Sequence, residues 1–109
     1  MPAKSDQPID LSRLASWYAS QCDGNWEQDC GLRLETLDNP GWCLTVDLHN
    51  TALEDKPMKE ISEGCDAQAV PTAPVWIHCS VQDSQFLGAC DQTQLHRLLD
   101  IFDAFRTAR

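Results

Sequence analysis

Residues Gln21 to Gly31 read QCDGNWEQDCG and put two cysteines, three acids and a tryptophan into one short stretch. Three chemistries fit such a composition: cation binding, thiol catalysis and presentation of side chains to a partner. Asp23, Asn25 and Glu27 alternate as in a calcium loop. Such a loop needs glycine at its sixth place and glutamate at its twelfth, and here those places hold Gln28 and Leu34, which disfavours calcium. A nucleophilic Cys22 or Cys30 would need an imidazole nearby, and His49, His78 and His96 all lie well downstream.

The six cysteines are separated by 8, 13, 22, 14 and 11 positions, so no C-x-x-C pair announces a zinc site. Reduced thiols, several of them buried as small apolar side chains, are the favoured reading. A small cysteine-rich metal-binding or redox protein that uses Cys22, Cys30 and distant partners is the alternative. No G-x-S-x-G, phosphate-loop, H-E-x-x-H or Rossmann glycine pattern occurs, so neither enzymatic activity nor a cofactor or metal is expected.

The formal charge of −9 is unevenly placed. Cys22 to Asp66 holds eleven acids and three bases, so nearly the whole imbalance sits mid-chain. A surface of that sign repels nucleic acid and anionic lipid and attracts a basic protein, although acidity also serves solubility alone. With 109 residues and 42% hydrophobic content, one α+β domain over residues 9–109 behind a loose tail, residues 1–8, is expected. The polar MPAKSDQP start and the lack of a long apolar run predict a cytoplasmic protein. A monomer or weak homodimer is anticipated.

Several elements must position these side chains. Asp10 is placed to cap a helix running to about Gln21, with Leu11, Leu14, Ala15 and Tyr18 on its apolar stripe and Trp17 on the flank. From Gly31 the period becomes two, predicting a strand to Leu37, a turn at Asp38-Asn39-Pro40-Gly41 and a second strand from Trp42 to Leu48. Residues 49–74 read as a long connection with room for a short strand around Met58 to Ser62. Val75 to Gln82 and Phe86 to Cys90 then form a hairpin turning at Asp83-Ser84-Gln85. Asp91 opens a last helix, with Gln94 near a capping-box position and Leu95, Leu98, Leu99, Phe102 and Phe105 on one face. Arg106 and Arg109 complement its C-terminal dipole. The resulting fold class is α+β: an antiparallel sheet of four or five strands with an N-terminal and a C-terminal helix packed on one face.

Strand phase divides the side chains. Leu32, Leu34, Trp42, Leu44, Val46, Ile77 and Val81 belong to the face under the helices, which makes Trp42 a core residue. Arg33, Glu35, Thr45, Asp47, Trp76 and His78 belong to the other. An indole among acids on an open sheet is a typical binding anchor. In the competing arrangement the long connection covers Trp76, and His78 pairs with Asp47 or Glu35. Trp26 likewise either projects with Glu27 or folds inward, and Asp23 and Asp38 are suited to forming turns.

The segments SWY, SQCDG and WE, then ETLDNPGW, and finally WIHC resemble the immunity protein 53 family of bacterial polymorphic toxin systems, over nearly the whole chain. The resemblance implies a small cytoplasmic α+β protein that binds the toxin domain encoded beside it. Asp23, Trp26, Glu27, Glu35, Asp47, Trp76 and His78 are then the candidate toxin-binding residues. The acidic middle would steer a basic toxin, and a nuclease would fit that charge.

Overall fold

A computed structural model describes residues 9–108; the proposed tail at 1–8 and the dipole role of Arg109 lie outside the described residues. The elements follow the order α1 (Ser12–Gln21), α2 (Trp26–Asp29), β1 (Leu32–Leu37), β2 (Gly41–Asp47), β3 (Ile61–Glu63), β4 (Ile77–Gln82), β5 (Gln85–Asp91) and α3 (Leu95–Thr107). All five strands join one antiparallel sheet in the order β1-β2-β5-β4-β3. The fold is α+β, as strand and helix periodicity predicts.

Both tight hairpins arise where turn residues interrupt alternation. In the first register Leu34 faces Leu44 and Leu32 faces Val46. In the second Val81 faces Phe86 and Ile77 faces Cys90. Since β2 and β5 pair in the centre, with Leu44 opposite Gly88 and Val46 opposite Phe86, the even positions of both strands share one face. That face receives α3. Leu44, Val46, Ile77, Phe86 and Leu98 are fully enclosed, each worth about 1.5–3 kcal/mol of apolar transfer free energy. Gly88 leaves room for the helix: a β-carbon there would lie 2.4 Å from Leu98 Cδ1.

An aromatic chain ties the helical layer to the sheet. Trp26 meets Trp17 at 6.0 Å, Trp17 meets Phe102 at 5.4 Å and Phe102 meets Phe86 at 5.1 Å, all near edge-to-face. Arg13 bonds Asp100 and Asp103 at 2.6 and 2.7 Å, clamping α1 to α3. Arg97 grips Glu63 through two bonds of 2.6 and 2.5 Å, fastening α3 to β3.

Two local expectations are corrected and one element is added. The Leu11-Leu14-Ala15-Tyr18 stripe of α1 is not its buried side: Trp17 is enclosed, whereas Leu11 and Tyr18 remain 44% and 37% exposed. One indole anchors this peripheral helix, and the orientation that buries it turns the leucine stripe toward the free edge of β1. Secondly, α3 begins at Leu95, while Asp91 ends β5 and closes the preceding turn through Thr93. Lastly, α2 has no counterpart in the sequence reading, because a single helical turn has no periodicity to detect. The short strand of the long connection lies at Ile61–Glu63, near the predicted Met58 to Ser62.

Candidate functional site

With α3 against β4 and β5, and α1 stacked on α3, the opposite face of the sheet is not covered by a helix among the described residues. Its side chains follow from register: Arg33 beside Thr45, Glu35 beside Cys43, Thr45 beside Leu87, Asp47 beside Gln85 and His78 beside Ala89. Half-buried Cys43, Leu87 and Ala89 give the middle an apolar character, while Arg33, Glu35 and Gln82 project at the margins. Near one corner a cleft of about 320 Å³ is lined by Gly31, Arg33, Thr45, Asp47 and Gln85.

Of the candidate residues, Glu35, Asp47 and His78 share this face, as their strand phases predict. Glu35 is open to solvent, with Arg33 Nε 3.7 Å from its carboxylate. Asp47 is more constrained: one carboxylate oxygen accepts the Gly31 amide at 2.9 Å and the other the Gln85 side-chain amide at 2.8 Å. It thereby pins the start of β1 to β2 and β5 while lining the cleft. His78 pairs with Glu60 rather than with Asp47 or Glu35. Glu60 immediately precedes β3, whose Ser62 faces His78, and could have been found had the strand's register been known.

Trp76 corrects the expectation of a projecting anchor, and of the two placements open to Trp26 the inward one is found. Trp76 is only 7% exposed and lies just before β4, past the end of the open face. The segment after β3 folds over it: Thr72 donates to the Gly64 carbonyl, Asp66 Oδ1 accepts the Gln68 and Val70 amides, and Cys65 bridges to Pro71. Gly64 takes φ +70°, and a β-carbon there would lie 3.0 Å from the Trp76 Cβ. The indole thus floors a hollow of about 500 Å³ bordered by Pro40, Pro71 and Pro74. Beneath it, Asp91 Oδ2 accepts the Trp76 amide at 2.8 Å. Burial pushes the Asp91 carboxyl up, but bonds from Thr93 and from the Trp76 amide together outweigh it and hold the group below its ordinary value.

Trp26 is 6% exposed on the helical side, its indole N–H donating to the His49 carbonyl at 2.8 Å. QCDGNWEQDCG is therefore a self-closing turn that seats this indole. Asp23 Oδ1 accepts the Asn25 and Trp26 amides at 2.9 Å, and Glu27 returns the closure by accepting the Asp23 and Gly24 amides at 2.9 and 2.8 Å. Gly24 supplies the positive φ of 96° that the turn requires. The amide bonds hold the Asp23 carboxyl below its usual value. Asp23 and Glu27 are thus engaged in shaping the loop, away from the open face.

The cysteines also have distinct surroundings. Cys22 is exposed, whereas Cys79 and Cys90 are enclosed under α3, where burial pushes both thiols up to about 12. Among the described residues, no group of three or more His, Cys, Asp and Glu side chains is arranged to hold a metal ion. No described helix is long and apolar enough to cross a membrane.

Residues 11–107 match the family model described as Immunity protein 53. No curated protein and no solved structure matches the chain.

Proposed function

The chain belongs to the immunity protein 53 family, and from that premise we propose that it neutralises a cognate toxin domain by docking it on the uncovered sheet face. The observation that carries this assignment is a five-stranded layer that helices cover on one side only among the described residues, in a chain of net charge −9. Three of the eight Lys and Arg residues, Arg13, Arg97 and Arg106, are drawn into ion pairs within the fold. Glu35, Asp38, Glu60 and Asp66 remain exposed. Their field favours a basic toxin of the class that acts on nucleic acid, accelerating encounter, while the half-buried Leu87 and Cys43 supply the apolar centre. Glu35, Asp47 and His78 stay in the proposed contact set. Trp76 contributes as the floor of the adjoining hollow, whereas Asp23, Trp26 and Glu27 leave the proposed contact set, because they close and seat the turn on the helical side.

The test is calorimetry and stopped-flow association with the toxin domain encoded beside this chain. Leu87→Arg, at the centre of the face, is expected to weaken binding at least about tenfold, and Glu35→Lys with Glu60→Lys to slow association mainly. Full-strength binding by Leu87→Arg would place the contact elsewhere.

A further inference from the structure

β1 is an outer strand, and no described segment pairs with its free side. Which of its groups point outward follows from one bond. The Asp47 amide donates to the Gly31 carbonyl at 2.9 Å, which makes Gly31 and Asp47 a hydrogen-bonded pair. Bonded and non-bonded pairs alternate in an antiparallel ladder, so Arg33 with Thr45 and Glu35 with Cys43 are also bonded pairs. Leu32, Leu34 and Thr36 consequently direct their N–H and C=O groups away from the sheet. Beside that edge runs an apolar groove of about 410 Å³ lined by Leu11, Leu14, Ala15, Tyr18, Leu32 and Leu34. An unpaired edge next to exposed apolar side chains is a template for another strand.

We infer that the strand received here is β1 of a second copy, joined antiparallel about a two-fold axis at Leu34 into one ten-stranded sheet. Charge selects this occupant and this register. Outward-facing residues must pair with outward-facing residues. Centring on Leu34 sets Leu34 against Leu34, Leu32 against Thr36, and each Arg33 against Glu35 of the other copy. A slip by two residues either way instead sets Arg33 against Arg33 or Glu35 against Glu35, which is destabilising. Both charged side chains are exposed, at 74% and 54%, and their contact within one chain is only 3.7 Å at its closest. Leu32 and Leu34 of each copy meet in the groove beneath α1, and the two uncovered faces become one continuous surface. Because each chain carries −9, added salt strengthens this self-association, opposite in sign to its effect on a basic partner.

Sedimentation equilibrium over a range of protein and salt concentrations tests the assignment. Wild type is expected to show a monomer–dimer equilibrium that tightens with salt. Glu35→Arg should weaken it about tenfold or more, and adding Arg33→Glu to that variant should restore it to within about threefold. Thr36→Pro deletes one outward N–H without touching a β1–β2 bond and should leave a monomer with an unchanged circular dichroism spectrum. A single monomeric species up to about 1 mM would overturn the proposal. So would a dimer indifferent to Glu35→Arg or to Thr36→Pro.

Discussion

Asp91 illustrates how much a single carboxylate can hold together. Only 2% exposed, it accepts the Trp76 amide and both the amide and hydroxyl of Thr93, joining the entry of β4 to the turn before α3. Asp91→Ala would leave the buried Trp76 amide unpaired and release the turn at Thr93, so a loss of about 2 kcal/mol in urea unfolding is expected. The pH dependence has a definite sign. Since the folded carboxyl lies below its ordinary value, its contribution is present at neutral pH and is lost as pH falls below about 4 through the lowered folded value. The variant should therefore show a flatter acid limb. At the same scale, Cys79 and Cys90, with thiols pushed up to about 12, should resist iodoacetamide at pH 8 in the native protein while exposed Cys22 is modified first. Peptide mapping after timed quenching checks this order; early labelling of Cys79 would contradict the burial.

Among the elements, two segments that carry the family resemblance, CDG-x-WE and LDNPGW, have structural roles. Reciprocal closure by Asp23 and Glu27 starts α2 and drives Trp26 inward, so Asp23→Ala should cost about 1 kcal/mol and Trp26→Ala about 3–5 kcal/mol in unfolding free energy. In LDNPGW the glycine is not needed for a positive φ, which the chain reserves for Gly24 and Gly64 among its glycines. Close approach requires it instead: a β-carbon on Gly41 would fall 2.2 Å from the Cys90 carbonyl oxygen. Gly41→Ala must displace backbone of β5, and a melting curve should show about 3 kcal/mol of destabilisation. The hairpins themselves were legible because alternation with period two continues to the turn residues. The roles of Trp26 and Trp76 were not, since an indole in a short connection outside the long periodic elements carries no periodic signal and its burial depends on which segment folds over it.

For the molecule as a whole, covering one sheet face with helices and leaving the other without one among the described residues produces a platform with acids at its margins. Association with a basic toxin domain should therefore slow as ionic strength rises, with the dissociation rate far less affected. An association rate constant indifferent to salt between about 0.05 and 0.5 M would remove the steering role of the acidic middle. The candidate site was half legible. Strand phase placed Glu35, Asp47 and His78 on one face, but pairing of His78 with Glu60 depends on how β3 returns beside β4.

By itself the sequence determined the α+β class, the hairpin phases and the face that α3 covers, because these follow from local periodicity and turn chemistry acting over a few residues. Only the tertiary structure decided which tryptophans are enclosed, which acids serve as internal braces, and that β1 ends the sheet beside an apolar groove. Those outcomes depend on contacts between segments far apart in the chain, where strand order and loop closure, rather than neighbouring residue types, set each side chain's surroundings.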